Sequence, residues 1–129
     1  MVVRMRSLSS IVILSNVITV WDNFSKKFNT FGIHEYTGDG RDDMIYHYCK
    51  TERDMFLAFL KYIEMQHPDI ISGWNSEGFD IPYIVNRMER ILGQEYVDRL
   101  SPLRNVYFRM RMGSFGREQK RYYFDGVAN

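Results

Sequence analysis

The residues best placed to do chemistry lie in one stretch, Pro68-Asp69-Ile70-Ile71-Ser72-Gly73-Trp74-Asn75-Ser76-Glu77-Gly78-Phe79-Asp80. Ile70 and Ile71 read as a short strand, followed by a loop loosened by glycine. Ile81-Pro82-Tyr83-Ile84 opens a helix, because proline is tolerated in a first helical turn, where its missing N–H had no intrahelical partner. Asp80 then stands at the helix mouth, where backbone N–H groups and the helix dipole favour an anion. Two uses follow. Asp80 is an N-terminal cap, or it aims its carboxylate at a metal or a phosphate.

Other reactive residue types offer less. His34, His47 and His67 lack ligand-like spacing, and no CxxC, HExxH or phosphate-loop pattern occurs. Thr37-Gly38-Asp39-Gly40-Arg41-Asp42-Asp43 collects three aspartates, but their spacing fits no cation cage, and such runs are ordinary turns. Glu52 and Asp54 fall in a helix's first turn, where capping accounts for them. The single Cys49 excludes a disulfide within the chain and suits a reducing compartment.

These residues must be held by a sheet and two helices. Ile11 to Trp21 reads as one long buried strand or two pieces, ending at Asp22. Its β-branched content and the break at Ser15-Asn16 argue against a signal peptide or a membrane span. Phe28 to Tyr36 returns as a hairpin partner, and Met44 to Cys49 forms a third strand, with Tyr46 and Tyr48 on one face and Ile45 and His47 on the other. Thr51 caps a helix over residues 52–66, whose Phe56, Phe59, Leu60 and Ile63 share one face as core. Pro68 stops it. A second helix, 82–92, buries Ile84, Met88 and Ile91 and ends at Gly93. A helical turn from Glu95 to Leu100 precedes Ser101-Pro102. Residues 104–125 then read as a β-hairpin turning at Gly113-Ser114-Phe115-Gly116. Basic residues alternate with aromatics there, and Arg117, Lys120 and Arg121 cluster near the tip. Such a surface suits single-stranded DNA, or it is cross-strand packing with a solvated basic face.

With 129 residues, 45% hydrophobic and 16% aromatic, the chain has enough for one folded domain. Its net charge is +1, yet residues 81–129 hold 9 Lys/Arg against 5 Asp/Glu. A basic part beside an acidic site suits a nuclease handling DNA, although an imbalance of this size alone does not establish one.

Asn75-Ser76-Glu77-Gly78-Phe79-Asp80 resembles the second exonuclease motif of family B DNA polymerases, in which an Asn precedes a Phe-Asp pair. Pro68 to Asn75 and Phe79 to Ile84 are similar to the replicative polymerases of T-even-like bacteriophages. The likeness continues through Asn86-Arg87, Ile91-Leu92-Gly93, Leu100-Ser101-Pro102 and Asp125-Gly126-Val127. A Phe-Asp pair alone carries no signal; the longer string does. The resemblance implies an α/β fold of the ribonuclease-H-like 3′–5′ exonuclease type, with residues 1–129 as a partial proofreading domain of a longer phage enzyme in the host cytoplasm. It implies partners in single-stranded or primer-template DNA and the other polymerase domains, and none in a membrane. In that family the hairpin helps move the primer strand between the polymerase and exonuclease sites.

The resemblance also implies two-metal phosphodiester hydrolysis with Mg²⁺ or Mn²⁺ ions about 3.5–4 Å apart, held by four carboxylates. An Asp-x-Glu pair on the first strand supplies two, the Phe-Asp motif a third, and a Tyr-x-x-x-Asp motif the fourth. Asp80 matches the third and would be the catalytic metal ligand. Asn75 and Phe79 would contact the 3′-terminal nucleotides, with loop-fixing and core packing as their respective rivals, and Trp74 and Glu77 would fix the loop. Arg117 would bind DNA from the hairpin. No Asp-x-Glu lies on a strand, Asp22 is a poor substitute for it, and the fourth motif is expected beyond Asn129. The readings left open are therefore a proofreading exonuclease, a non-catalytic DNA-binding or structural remnant of one, and an unrelated nuclease fold reusing a Phe-Asp loop.

Overall fold

The computed structural model describes residues 7–14, 16–38, 40–73, 76–113 and 116–128, with side chains described from residue 16 onward except at 76. It is a mixed α/β structure. Strands β1 (Ser7–Leu14), β2 (Val17–Asp22), β3 (Lys27–Gly32), β4 (Met44–Tyr48) and β5 (Ile70–Ile71) form one sheet in the order β4-β3-β2-β1-β5. β1 and β2 pair antiparallel, as do β2 and β3, whereas β4 runs parallel to β3 and β5 parallel to β1. Of the two readings of Ile11–Trp21, one strand or two pieces, the structure has two strands, and β2 lies between β1 and β3. β3 ends at Gly32, earlier than Tyr36. Ile33 N–H there turns to the Asn16 carbonyl at 3.2 Å, and Tyr36 is exposed.

β2 shows the alternation of a strand with one face in the core. Ile18 and Val20 are fully buried, as is Phe31 on β3. Helix α1 (Glu52–Gln66) lies over this face through Met55, Phe56, Phe59, Leu60, Tyr62 and Ile63. Phe31 meets Phe59 edge-on at 5.8 Å and Tyr62 at 5.5 Å. Thr51 caps α1 by accepting from Asp54 N–H at 3.1 Å. His47 stacks on Phe31 at 4.5 Å and its Nε2 lies 3.1 Å from Asn29 Oδ1. It is a packed histidine, and burial lowers its pKa.

Helix α2 (Ile81–Leu92) buries Ile81, Ile84, Val85 and Met88, and α3 (Gln94–Asp98) adds Val97. The last two strands, β6 (Val106–Met112) and β7 (Glu118–Phe124), form a separate antiparallel pair. Val106, Tyr122 and Phe124 root it in the core, while Met110 and Met112 are exposed. Its base is tied by Asn105 Nδ2 donating to Asp125 Oδ2 at 2.7 Å and by the buried Ser101, whose Oγ donates to the Asp125 carbonyl at 2.6 Å. Beyond it the chain returns to the sheet, where Ala128 N–H donates to the Asp69 carbonyl and the Ala128 carbonyl accepts from Ile71 N–H. The hairpin base is thus anchored beside the strand that leads to Asp80.

Candidate functional site: the turn entering helix α2

β5 ends at Ile71. The segment Ser76–Asp80 then winds as a π-helical turn and continues directly into α2. The expected open loop is therefore helical in its last five residues, and Asp80 does not cap. Its backbone is right-handed helical (φ −64°, ψ −50°) and its side chain makes no capping hydrogen bond. The physical reason is the wide turn before it: residues 76–80 already supply helical backbone, so the mouth of the helix lies upstream of Asp80. Single π turns of this kind occur often at functional sites.

Asp80 is half-buried, and burial pushes its carboxyl pKa up. A carboxylate partly desolvated in this way is one whose charged form a nearby cation would stabilise. Next to it, Phe79 is 54% exposed and stacks on Tyr83, with ring centres 6.2 Å apart and planes 19° apart. Phe79 is thus not a core residue. Asn75 and Trp74 lie outside the described residues. Glu77 accepts from Arg121 Nη2 of β7 at 2.6 Å, which joins the π turn to the hairpin. Arg117 is exposed near the hairpin tip, and its carbonyl accepts from Gly113 N–H at 2.7 Å. It lies four residues along the strand from Arg121, roughly 13 Å at the rise of a strand.

The pairing register gives the hairpin two faces. Tyr107, Arg109 and Arg111 stand opposite Tyr123, Arg121 and Gln119 on one face; Phe108, Met110 and Met112 stand opposite Tyr122, Lys120 and Glu118 on the other. Arg109 and Arg121 lie over Tyr107 and Tyr123, and Lys120 lies 4.4 Å from the Phe108 ring centre. Cations and aromatics are therefore packed together, as the alternation in the sequence suggested.

Several of the other acids have structural partners among the described residues. Asp22 is 1% exposed and accepts from Phe24 N–H at 3.0 Å and Ser25 Oγ at 2.9 Å, so it holds the β2–β3 turn. Asp43 is bound by Arg41 at 2.7 Å, and Asp39 lies outside the described residues. Glu52 is gripped by Arg87 through two contacts of 2.6 and 2.8 Å. β1, the strand paired with β5, reads Ser-Leu-Ser-Ser-Ile-Val-Ile-Leu and carries no acid. No group of three or more His, Cys, Asp or Glu able to hold a metal occurs among the described residues. These residues therefore do not fit a two-metal centre by themselves.

Sequence reasoning missed Tyr83, and it placed Arg121 in the basic cluster near the hairpin tip without its contact to the turn before Asp80. The four-residue spacing of Phe79 and Tyr83 was available as a helical stripe, but it was masked by reading Phe79 as a loop residue. Nothing in the sequence paired Arg121 with Glu77.

Residues 9–129 match the family described as DNA polymerase family B, exonuclease domain. The DNA-directed DNA polymerase of Enterobacteria phage T4 is 35% identical over 112 residues, which is 86% of this chain and 12% of that protein. The polymerase of Escherichia phage RB69 is 35% identical over 75 residues, 58% of this chain and 8% of that protein. The DNA polymerase delta catalytic subunit of Oryza sativa subsp. japonica is 39% identical over 69 residues, 54% of this chain and 6% of that protein. The chain thus spans about an eighth or less of the length of these relatives.

Proposed function

Because this chain belongs to the exonuclease domain family of the family B DNA polymerases, we propose that it serves 3′–5′ proofreading in a phage DNA polymerase. The observation that carries the reading is Asp80. The family's Phe-Asp motif falls on a π turn with its carboxylate half-buried, raised in pKa and flanked by an exposed aromatic. The sheet order, with β1 between an antiparallel β2 and a parallel β5, supports a ribonuclease-H-like fold.

Asp80 would give one oxygen ligand to a divalent ion, Mg²⁺ or Mn²⁺, of the kind that stabilises charge in phosphodiester hydrolysis. The described residues do not complete that ligand set, so no hydrolytic step is assigned to them. What they supply is grip. Phe79 offers a face to a terminal base or sugar; Asn75, outside the described residues, is assigned to the 3′-terminal nucleotides by its match to the family motif alone. Arg117 meets phosphate from the hairpin, whose cationic and aromatic face suits single-stranded or primer-template DNA. The remaining polymerase domains are its covalent partners and the host cytoplasm its setting. Among the described residues no helix is long and apolar enough to cross a membrane. The lack of an acid on β1 favours a second reading for these 129 residues taken alone: they bind DNA without cutting it.

The test uses the chain extended at both ends and a primer with a frayed 3′ end. Asp80→Ala should reduce trimming at least a hundredfold. Phe79→Ala should chiefly raise KM. An Asp80→Ala enzyme that trims at the wild-type rate would overturn the assignment.

A further inference from the structure

One face of α2 is unused by the core. Ile81, Ile84, Val85 and Met88 point inward, whereas Tyr83, Asn86, Arg87 and Arg90 lie on the other side. With Phe79 they form a continuous stripe, since residues three and four apart are neighbours on a helix. The stripe runs roughly 16 Å at the helical rise, starting beside Asp80. Tyr83, Asn86, Arg87 and Arg90 line an open trough of about 480 Å³ together with Asn16 and Glu52.

We propose that this stripe is a track for single-stranded nucleic acid, along which the strand behind the 3′ end is held as that end reaches Asp80. The proposal rests on the proofreading reading for its ligand, but not for its geometry. The chemistry is complementary at each step. Phe79 and Tyr83 are stacked with Phe79 left exposed, so a base extends an existing pile. Asn86 accepts from Tyr122 Oη at 2.9 Å, which fixes the side chain and leaves its amide N–H groups for the trough. Arg90 is exposed and forms no ion pair among the described residues.

Arg87 is the informative member. Glu52 engages its Nε and Nη2 edge with a bidentate grip. A guanidinium carries five N–H donors, so the opposite edge remains available. A strut between α1 and α2 needs only the first edge. The fork holds the guanidinium in place where Arg87 lines the same trough as Arg90, Asn86 and Tyr83. A planar donor edge held rigid beside a second cation suits successive phosphates.

The test is binding of a fluorescent 16-nucleotide thymidine oligonucleotide to the whole 129-residue chain, followed by anisotropy across a salt series. Wild type should bind, and the same sequence as a duplex should bind less tightly. Arg90→Gln should lower the slope of log K against log salt by about 0.7, the contribution of one phosphate on a single strand, and Arg87→Gln with Arg90→Gln by about twice that. Tyr83→Ala should weaken binding at least fivefold, and Tyr83→Phe should restore it. Arg90→Gln and Tyr83→Phe leave every described hydrogen bond in place, so they remain informative if Arg87→Gln disturbs folding. Failure of wild type to bind, preference for duplex, or unchanged slopes in the arginine variants would each overturn the track. Unchanged slopes alongside loss of trimming on Asp80→Ala in the extended chain would remove the track and leave proofreading standing. An intact arginine effect with trimming indifferent to Asp80 would do the reverse.

Discussion

Arg121 on the second hairpin strand donates to Glu77 in the turn before Asp80, with Nη2 and Oε1 2.6 Å apart. The contact joins the two parts of the chain that handle DNA in the proposed function. Arg121 also stands directly opposite Arg109 across the hairpin, a like-charge pairing that Glu77 offsets. Both partners are more than a third exposed, so the pair adds less than about 1 kcal/mol to global stability. Its effect should be local. Glu77→Gln should leave the melting temperature within about two degrees of wild type, yet speed amide hydrogen exchange in β7. Exchanging the charges, Glu77→Arg with Arg121→Glu, should restore protection; equal protection in all three proteins would show that the contact positions nothing.

Asp80 gives a prediction on pH. Its folded pKa is raised by burial. The folded state therefore binds the proton more tightly than the unfolded state, and stability is lost as pH rises from the unfolded pKa through the folded one. Above that window the charged carboxylate is a standing cost. Asp80→Asn should raise the melting temperature at pH 7, and the gain should vanish as pH falls below the ordinary aspartate range. A variant less stable than wild type at pH 7 would show that Asp80 is held by contacts that favour its charged form. Stabilisation bought by removing a functional carboxylate is the usual trade at an active site.

The sheet strands and both main helices were legible because each rests on local pattern. Phe56, Phe59, Leu60 and Ile63 have helical spacing, Thr51 is a cap, and the stretch leading to Trp21 is rich in β-branched residues. What escaped was produced by tertiary contact or by subtle winding. The π turn uses the same residue types as a loop, so the sequence left cap and ligand both open for Asp80, and the backbone then set the cap aside. Asp22 could be read as a ligand or a turn residue. Only the Phe24 N–H and Ser25 hydroxyl at its two oxygens decide between them.

Asp22 therefore predicts a separation of roles. Asp22→Ala removes a buried acceptor of two charge-assisted hydrogen bonds from the turn and should cost about 1–3 kcal/mol in denaturant unfolding. Asp22→Asn should retain much of that stability. In the extended chain it should leave trimming at the wild-type rate. A large loss of trimming by a stably folded Asp22→Asn protein would make Asp22 a ligand after all.

Gly126 sets the exit of the hairpin. Its φ is +88°, and a Cβ there would lie 2.7 Å from Pro102 Cγ. Gly126→Ala combines left-handed strain with that clash and should destabilise by at least about 1–2 kcal/mol. Gly40 also has positive φ, but open space surrounds it. Gly40→Ala should cost less than Gly126→Ala, and unfolding midpoints of the two variants check the order. The reverse order would mean that Pro102 yields freely and that the hairpin base is looser than its hydrogen bonds imply.

The central claim is that these residues carry one corner of a metal-dependent exonuclease centre and the grip on its substrate, without the full ligand set. The most direct measurement is 3′-end trimming of a labelled single-stranded oligonucleotide with saturating Mg²⁺, by the 129-residue chain and by the chain extended at both ends. The account predicts that the short chain binds the oligonucleotide and leaves it intact, while the extended chain shortens it. Efficient trimming by the short chain would contradict the account, because a single carboxylate at Asp80 would then be sufficient.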